Sequence, residues 1–307
     1  MVIPVTDRPA PRPRPRRQQI TRGYRVFQAV NATFLTLVVV LTLYPFFNIV
    51  ARSFSETNYI RRGEVNLWPR GFNLTTYERV MNDSQFWIGY RNTVVYTLVA
   101  TAIAMVLTTC YAYVLSKKRL KGRTVLIGIA VFTMFFNGGL IPQYVLISNA
   151  LGMRNTLWAI VLPNAISVFN LLVMKAFFEA QPEDLEEAAA IDGANTYRTL
   201  LQIVLPLSKA VIATMVLFYS VTFWNSWFQA FLYLDRKELW PVTIYLRNLL
   251  AGSMATSDPG AASDLALQIA ANIQAVTIVL IALPIMCVYP FIQRYFVTGV
   301  MLGSVKG

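Results

Sequence analysis

Histidine is absent from this 307-residue chain, and cysteine occurs only twice. Without imidazole there is no His-based catalytic triad, and a principal zinc ligand is missing. Cys110 and Cys287 lie far apart inside apolar runs, so neither a disulfide framework nor a thiolate metal site is expected. No G-x-x-x-x-G-K-[ST] motif occurs, which leaves the chain without a loop of its own to cradle ATP phosphates. An integral membrane enzyme would need clustered nucleophiles, histidines or metal ligands. None is visible, so the expected catalytic residues, metal ligands and resident cofactors are none. Charge is scarce as well, at 14% of residues against 56% hydrophobic. That balance, with long stretches carrying no charge, points to a polytopic membrane protein. An ATP-independent secondary transporter or channel is the alternative class, but the apolar runs hold almost no carboxylates with which to couple ions or protons.

What is present is apolar length. Runs near 26–50, 92–116, 124–148, 157–178, 207–232 and 270–296 are each long enough to cross a hydrocarbon core of ~30 Å. They predict an all-α integral membrane protein with six transmembrane helices, one domain over 26–307 preceded by a basic arm over 1–25. The first run exceeds a signal-peptide h-region of ~7–15 residues, so it is expected to remain as the first helix. The arm, "RPAPRPRPRRQQITRGYR", alternates arginine with proline and reads as a disordered segment that fixes orientation and touches anionic lipid. No folded basic domain follows it, so nucleic acid is not an expected partner.

Orientation follows from the placement of Lys and Arg, which accumulate on the cytoplasmic side. With the N-terminus inside, the arm and the five basic residues of "KKRLKGR" (117–123) fall on one side, and the matching outer turn "NALGMRNT" holds only Arg154. Both termini are expected in the cytoplasm. Two larger loops, near 51–91 and 233–269, then lie outside. Thr75 and Glu78 have capping-box spacing for a short surface helix in the first, and "AGSMATSDPGAASD" reads as a flexible turn in the second. Arg91 and Lys175 are expected to snorkel from helix ends, and Gly138, Gly139, Pro142 and Pro163 to let helices bend or approach closely.

One water-soluble stretch, "EEAAAIDGANTYRTLLQIVLPLSK" (Glu186 to Lys209), falls between the fourth and fifth runs, on the cytoplasmic side. Pro182 suits a first helical position, and Glu183 and Asp184 suit a first turn, where the helix dipole favours carboxylates. Gly193 can end that helix in the left-handed conformation. A second helix can start from a cap at Asn195 or Thr196, with Tyr197, Leu200, Leu201 and Val204 as its apolar stripe. The small residues Ala188, Ala189 and Ala190 would admit another surface close to the first helix; they are also simply good helix formers, and the acidic residues an ordinary solvated face.

Glu187, Ala188 and Ala189, then Asp192, Gly193 and Ala194, then Ile203, Leu205 and Pro206, resemble the EAA loop of permease subunits in bacterial binding-protein-dependent ABC importers. "FFNGGLIPQYVLISNALGMRNTLWAIVLPNA" and the ending "IQRYFVTGVMLGSVKG" are similar to the second permease of carbohydrate importers of the maltose-transporter and complex-oligosaccharide type. Lys209 departs from the proline found in many relatives. The resemblance implies a type I ABC importer permease fold in the bacterial cytoplasmic membrane, with the segment over about 181–206 as a coupling loop. It implies as partners a second permease, two copies of an ATPase subunit that binds the ATP and Mg, and an extracytoplasmic solute-binding protein. Coupling would rest on Glu187, Ala188, Ala189, Asp192 and Gly193, one carboxylate meeting a basic residue of the ATPase.

For the solute path, Trp224, Asn225 and Gln229 in the fifth run combine flat apolar faces with amides, chemistry suited to sugars. Trp227 and Phe228 extend the aromatic surface. Asn164, Ser167 and Asn170 in the fourth run and Asn272 and Gln274 in the sixth add polar groups. Amides inside a membrane must be satisfied, so they face either a wet path or other helices, and tryptophans equally form interfacial belts.

Overall fold

The structure, a computed structural model, describes residues 22–255, 272–288 and 290. Most of the basic arm, the "AGSMATSDPGAASD" turn beyond Ala255 and all of the C-terminal "FIQRYFVTGVMLGSVKG" lie outside them. The regular elements among the described residues are all helices; their only β-type contact is an isolated bridge between Ser55 and Phe72.

α1 (Arg22–Ser53) is an apolar helix exposed along nearly its whole length, with only Ala51 and Ser53 buried, so it stands away from the body of the chain. A compact cap follows it. Asn48 Nδ2 donates to the Val65 and Asn66 carbonyls at 3.1 and 2.8 Å, and Phe54 stacks between Phe72 and Tyr77. α2 (Thr57–Arg61) and α3 (Thr75–Met81) complete this cap. The capping box does not form. Leu74 occupies the cap position of α3, and the Asn73 carboxamide oxygen accepts from the Thr75 N–H at 2.7 Å. A short Asx turn thus supplies locally what a threonine cap would have supplied.

α4 (Ser84–Ser116) is the central element, capped by Asp83, and it begins well before residue 92. Its buried face carries Ala100, Ala104, Thr108 and Ala112 at four-residue spacing, small residues that let neighbouring helices approach. α5 (Arg123–Phe135) starts from Gly122 at φ +76°. It is followed by α6 (Leu140–Val145), which continues as a π turn to Ala150. These two helical pieces meet at 108°, the break falling at Asn137–Gly139 with Gly139 at φ +90°. The third apolar run is therefore bent and not one straight helix. α7 (Trp158–Val161), prolonged by a 3-10 turn through Pro163 to Asn164, meets α8 (Val168–Glu179) at 51°.

α9 (Asp184–Ile191) and α10 (Thr196–Thr199) form the polar loop. A π turn (Leu200–Val204) and α11 (Leu205–Leu207) lead to an 86° bend at Ser208 and then α12 (Lys209–Trp224). α13 (Phe228–Tyr233) is separate, so the fifth run breaks after Trp224. α14 (Val242–Ala255) and α15 (Asn272–Val288) follow. α1, α4 and the three bent pairs are long and apolar enough to cross a membrane; α15 is shorter, and the rest of the sixth run lies outside the described residues.

α4 packs against α8, α12 and α14. Leu171, Met174, Met215 and Leu115 close the core at its C-terminal half, and Phe86, Val242 and Val276 close it at its N-terminal half. Among lipids, apolar burial does not by itself hold helices together, so packing and interhelical hydrogen bonds carry more of the association. Thr108 Oγ1 and Tyr219 Oη, 2.6 Å apart and buried, tie α4 to α12, and Tyr219 Oη also accepts from the Ser167 N–H at 3.0 Å.

Candidate functional sites: an acidic loop and a polar cleft

The acidic loop has the bent shape its sequence suggests. Asp184, Glu186 and Glu187 occupy the first turn of α9. Gly193 ends the helix at φ +77°, with Ala194 N–H bonded to the Ala189 carbonyl at 2.9 Å and Gly193 N–H to the Ala190 carbonyl at 3.1 Å. This is a Schellman closure, which needs a left-handed residue where glycine stands. Asn195 caps α10, its carboxamide oxygen accepting from the Arg198 N–H at 2.9 Å. Only half of the apolar stripe is buried: Leu200 and Val204 pack inward, whereas Tyr197 and Leu201 remain 76% and 63% exposed. Ile191 is 87% exposed beside them. The alanines also divide, with Ala189 buried against its own chain and Ala188 and Ala190 facing out.

The four carboxylates at the start of this loop divide in the same way. Glu186 pairs with Lys117, whose ammonium also lies 3.9 Å from the Tyr113 ring centroid. Glu183 accepts from Lys118 at 2.7 Å, a contact that holds its carboxyl below the ordinary glutamate range. Asp184 and Glu187, together with Asp192 at the far end, are exposed and make no side-chain hydrogen bond or ion pair among the described residues. Lys175 does not snorkel. It pairs with Glu179 at 2.8 Å, and Arg123 binds the same carboxylate. Gln181 Nε2 donates to Ser208 Oγ at 2.7 Å, fastening the end of α8 to the bend before α12.

The break between α7 and α8 opens a cleft of about 720 Å³. Asn164, Ser167 and Asn170 on one wall and Tyr219 and Thr222 of α12 on the other supply its polar groups, set among Pro163, Ile166, Phe169, Leu217, Phe218 and Val221, so the lining is mostly apolar with polar points. Two of the amides singled out in the fourth run are thus brought together. Asn225 follows Thr222 by three residues on the same helical face; it is exposed, and its Nδ2 bonds the Val221 carbonyl at 2.8 Å. Gln229 Oε1 accepts from Ser226 Oγ at 3.0 Å and does not line the cleft. Trp224 faces elsewhere: it is buried, stacks edge-on against Tyr90, and donates Nε1–H to the Ile281 carbonyl of α15 at 3.2 Å. Asn272 is buried, and its Nδ2 donates to the Ser55 carbonyl at 3.0 Å, which makes it a helix fastener; Gln274 is half-buried.

Sequence reasoning did not single out the partners of the acidic loop. "KKRLKGR" served only to set orientation, although its spacing already carries the cations that Glu183 and Glu186 require. Nothing in the sequence marks the Thr108–Tyr219 pair. Arg247 of α14 was likewise passed over; its guanidinium lies 3.9 Å from the Phe231 ring centroid and 5.5 Å from that of Trp227.

A polytopic helical chain with a polar cleft between its bent helices and an exposed helix–glycine–helix loop has the make-up of a membrane transport subunit. The chain is 39% identical over 287 residues to Protein LplC of Bacillus subtilis, covering 94% of this chain and 97% of that protein. It is 38% identical to the Bacillus subtilis polygalacturonan/rhamnogalacturonan transport system permease protein YtcP, covering 92% and 99%. A crystal structure of a bacterial ABC transporter involved in the import of the acidic polysaccharide alginate contains a chain that superposes with a TM-score of 0.80. That chain shares 32% identity, with coverage of 90% of this chain and 98% of its own length. No family model matches. The chain belongs to the permease subunits of sugar ABC importers and has their fold.

Proposed function

We propose that this chain, with a second permease, forms the membrane path of a sugar importer driven by two ATPase subunits and supplied by an extracytoplasmic binding protein. α9 is its contact with the ATPase. The observation that carries the coupling role is the sorting of the loop's carboxylates. Glu183 and Glu186 are held by Lys118 and Lys117, whereas Glu187 and Asp192 stand free beside exposed Ala188, Gly193 and Ile191. A basic groove on the ATPase would meet those two carboxylates.

The cytoplasmic position of α9 has two supports. The positive-inside rule assigns both the 117–123 turn and α9 to the cytoplasm, and the two are in direct ionic contact. Arg154 and Asp235, both assigned outside, pair at 2.7 Å. Both termini then lie in the cytoplasm, and six spans complete the bundle.

The solute is an oligosaccharide, and Asn164, Asn170, Asn225 and Gln229 offer amides along its path, with Trp224 behind them as packing. We take the solute to be acidic, as alginate is. Arg247 supports this: its charge has no carboxylate partner among the described residues, and its in-plane N–H groups suit a carboxylate while its face rests on aromatic rings.

Co-expression with the neighbouring subunits tests the assembly: an ATPase and a second permease should co-purify with this chain. Gly193→Pro and Glu187→Lys should each abolish uptake, measured with labelled alginate- and galacturonate-derived oligosaccharides. Undiminished uptake and ATPase binding in both variants would refute the coupling role.

A further inference from the structure

We propose that the basic turn Lys117–Lys118 is the second half of the coupling device, a clamp that makes α9 and α4 move as one body. The proposal rests on α9 being the ATPase contact. Its observations are separate from those that suggested that contact.

First, two consecutive lysines at the C-terminal end of α4 engage two carboxylates one helical turn apart. Lys118 reaches Glu183 and Lys117 reaches Glu186, residues i and i+3 on one face of α9. A two-point attachment fixes orientation as well as distance, which one flexible pair does not. Second, Lys117 is braced. Its ammonium sits over the face of Tyr113, one turn earlier on α4, and Tyr113 packs edge-on against Phe178 at the end of α8. Third, Arg123, at the start of α5, binds Glu179 together with Lys175 and also donates Nε–H to the Leu115 carbonyl of α4 at 2.8 Å. The end of α8, the start of α9 and the turn after α4 are thereby joined by charges that are only partly exposed, except for the outer Lys118–Glu183 pair.

The clamp has somewhere to deliver a displacement. α4 is held in its C-terminal half by Thr108 to Tyr219, and Tyr219 both lines the cleft and receives the Ser167 N–H at the α7–α8 break. A push on α9 therefore reaches the cleft through α4 without passing along the bent α10–α12 connection. Without the clamp, the loop would reach the cleft only along the chain, through the short 180–183 link to α8 on one side and through the π turn and 86° bend before α12 on the other, and such irregular turns yield easily.

The test needs no knowledge of the solute. In the assembled importer, with Cys110 and Cys287 replaced by serine, nitroxide labels go at the exposed positions Ala190 on α9 and Val106 on α4. Their separation is measured by pulsed electron paramagnetic resonance in the nucleotide-free and the vanadate-trapped complex. The expected result is an unchanged separation in the otherwise native chain. Lys117→Glu with Lys118→Glu should shift or broaden it on trapping, and adding Glu183→Lys with Glu186→Lys should restore it. A separation that changes on trapping with the clamp intact would overturn the proposal, as would charge reversals without effect. If no ATPase co-purifies with the native chain, the coupling reading itself falls; a moving α9 in an intact complex removes only the clamp.

Discussion

The two ends of α4 are fastened by different chemistry. At its N-terminal end, neutral side chains grip backbone carbonyls of the segment before α14. Asn92 Nδ2 donates to Glu238 and Trp240 at 2.7 and 3.2 Å, Tyr96 Oη to Leu239 at 2.8 Å, and Gln85 Nε2 to Lys237 at 2.8 Å. The Val242 N–H returns a bond to Thr93 Oγ1 at 2.9 Å. At its C-terminal end the fasteners are ion pairs to α9 and the end of α8. Neutral hydrogen bonds to buried backbone are directional and costly to leave unmade, whereas partly exposed ion pairs contribute less each and are screened by salt. One end is fastened by neutral, directional bonds, and the other by charges that salt and acid can reach.

The largest break in that contrast should come from Gly89. A Cβ there would lie 3.1 Å from both the N and Cα atoms of Val242, backbone atoms that cannot rotate aside. Gly89→Leu should therefore push α14 off α4, costing about 1–3 kcal/mol or more as overpacking does. It would be read as a clear drop in Tm of the purified chain in detergent. Asn92→Leu comes next. It strands two carbonyls in a buried contact, and its expected cost is about 1–3 kcal/mol. Either variant behaving as wild type would show that the α14 end is not held by these contacts.

How much of this was legible follows from the range of the signals. Helix-stop chemistry is local, so the Gly193 closure and the Asn195 cap could be read from consecutive residues. The approximate extents of the apolar runs are local too. The bends are less so: Gly138, Gly139 and Pro163 mark places where a helix can break, but not the 108° and 51° that tertiary packing selects. Thr75 and Glu78 show the opposite failure, a valid local pattern displaced by Asn73 two residues earlier. Trp224 looked like a sugar platform because an indole in an apolar run serves a path or a packing contact equally well, and only the Ile281 carbonyl distinguishes them. The clamp required pairing residues 117 and 118 with 186 and 183, separations of 69 and 65 positions, which a single sequence does not specify.

Between the two ends, Thr108→Val should have an intermediate effect. It keeps the shape and deletes the bond to Tyr219, and interhelical hydrogen bonds in membranes are worth about 0.6 kcal/mol on average and up to ~1.7. The loss in Tm should be modest, while the wall of the cleft loses its tie to α4. A larger loss of uptake than of stability is therefore expected, and equal losses would make the contact merely structural.

The smallest effect on stability should come from Lys118→Gln, because both partners of the Lys118–Glu183 pair are well exposed, at 73% and 67%. Its Tm should lie only slightly below wild type at neutral pH and ordinary salt. What difference exists has a definite sign. Lys118 holds the folded-state pKa of Glu183 below its unfolded value. The pair's contribution is therefore fully present above the ordinary glutamate pKa and is lost as pH falls through the lowered one. The Tm gap between wild type and Lys118→Gln should accordingly close on acidification below that point, and close again when salt shortens the Debye length to a few ångströms, ~3 Å at 1 M. The gap between wild type and Asn92→Leu rests chiefly on the neutral bonds to Glu238 and Trp240, the one charged contact being a long bond of 3.5 Å from Arg91 to Asn92 Oδ1, so most of it should survive both treatments. If acid or salt erased the Asn92 gap as well, the distinction between an end held by neutral bonds and an end held by charges would fail.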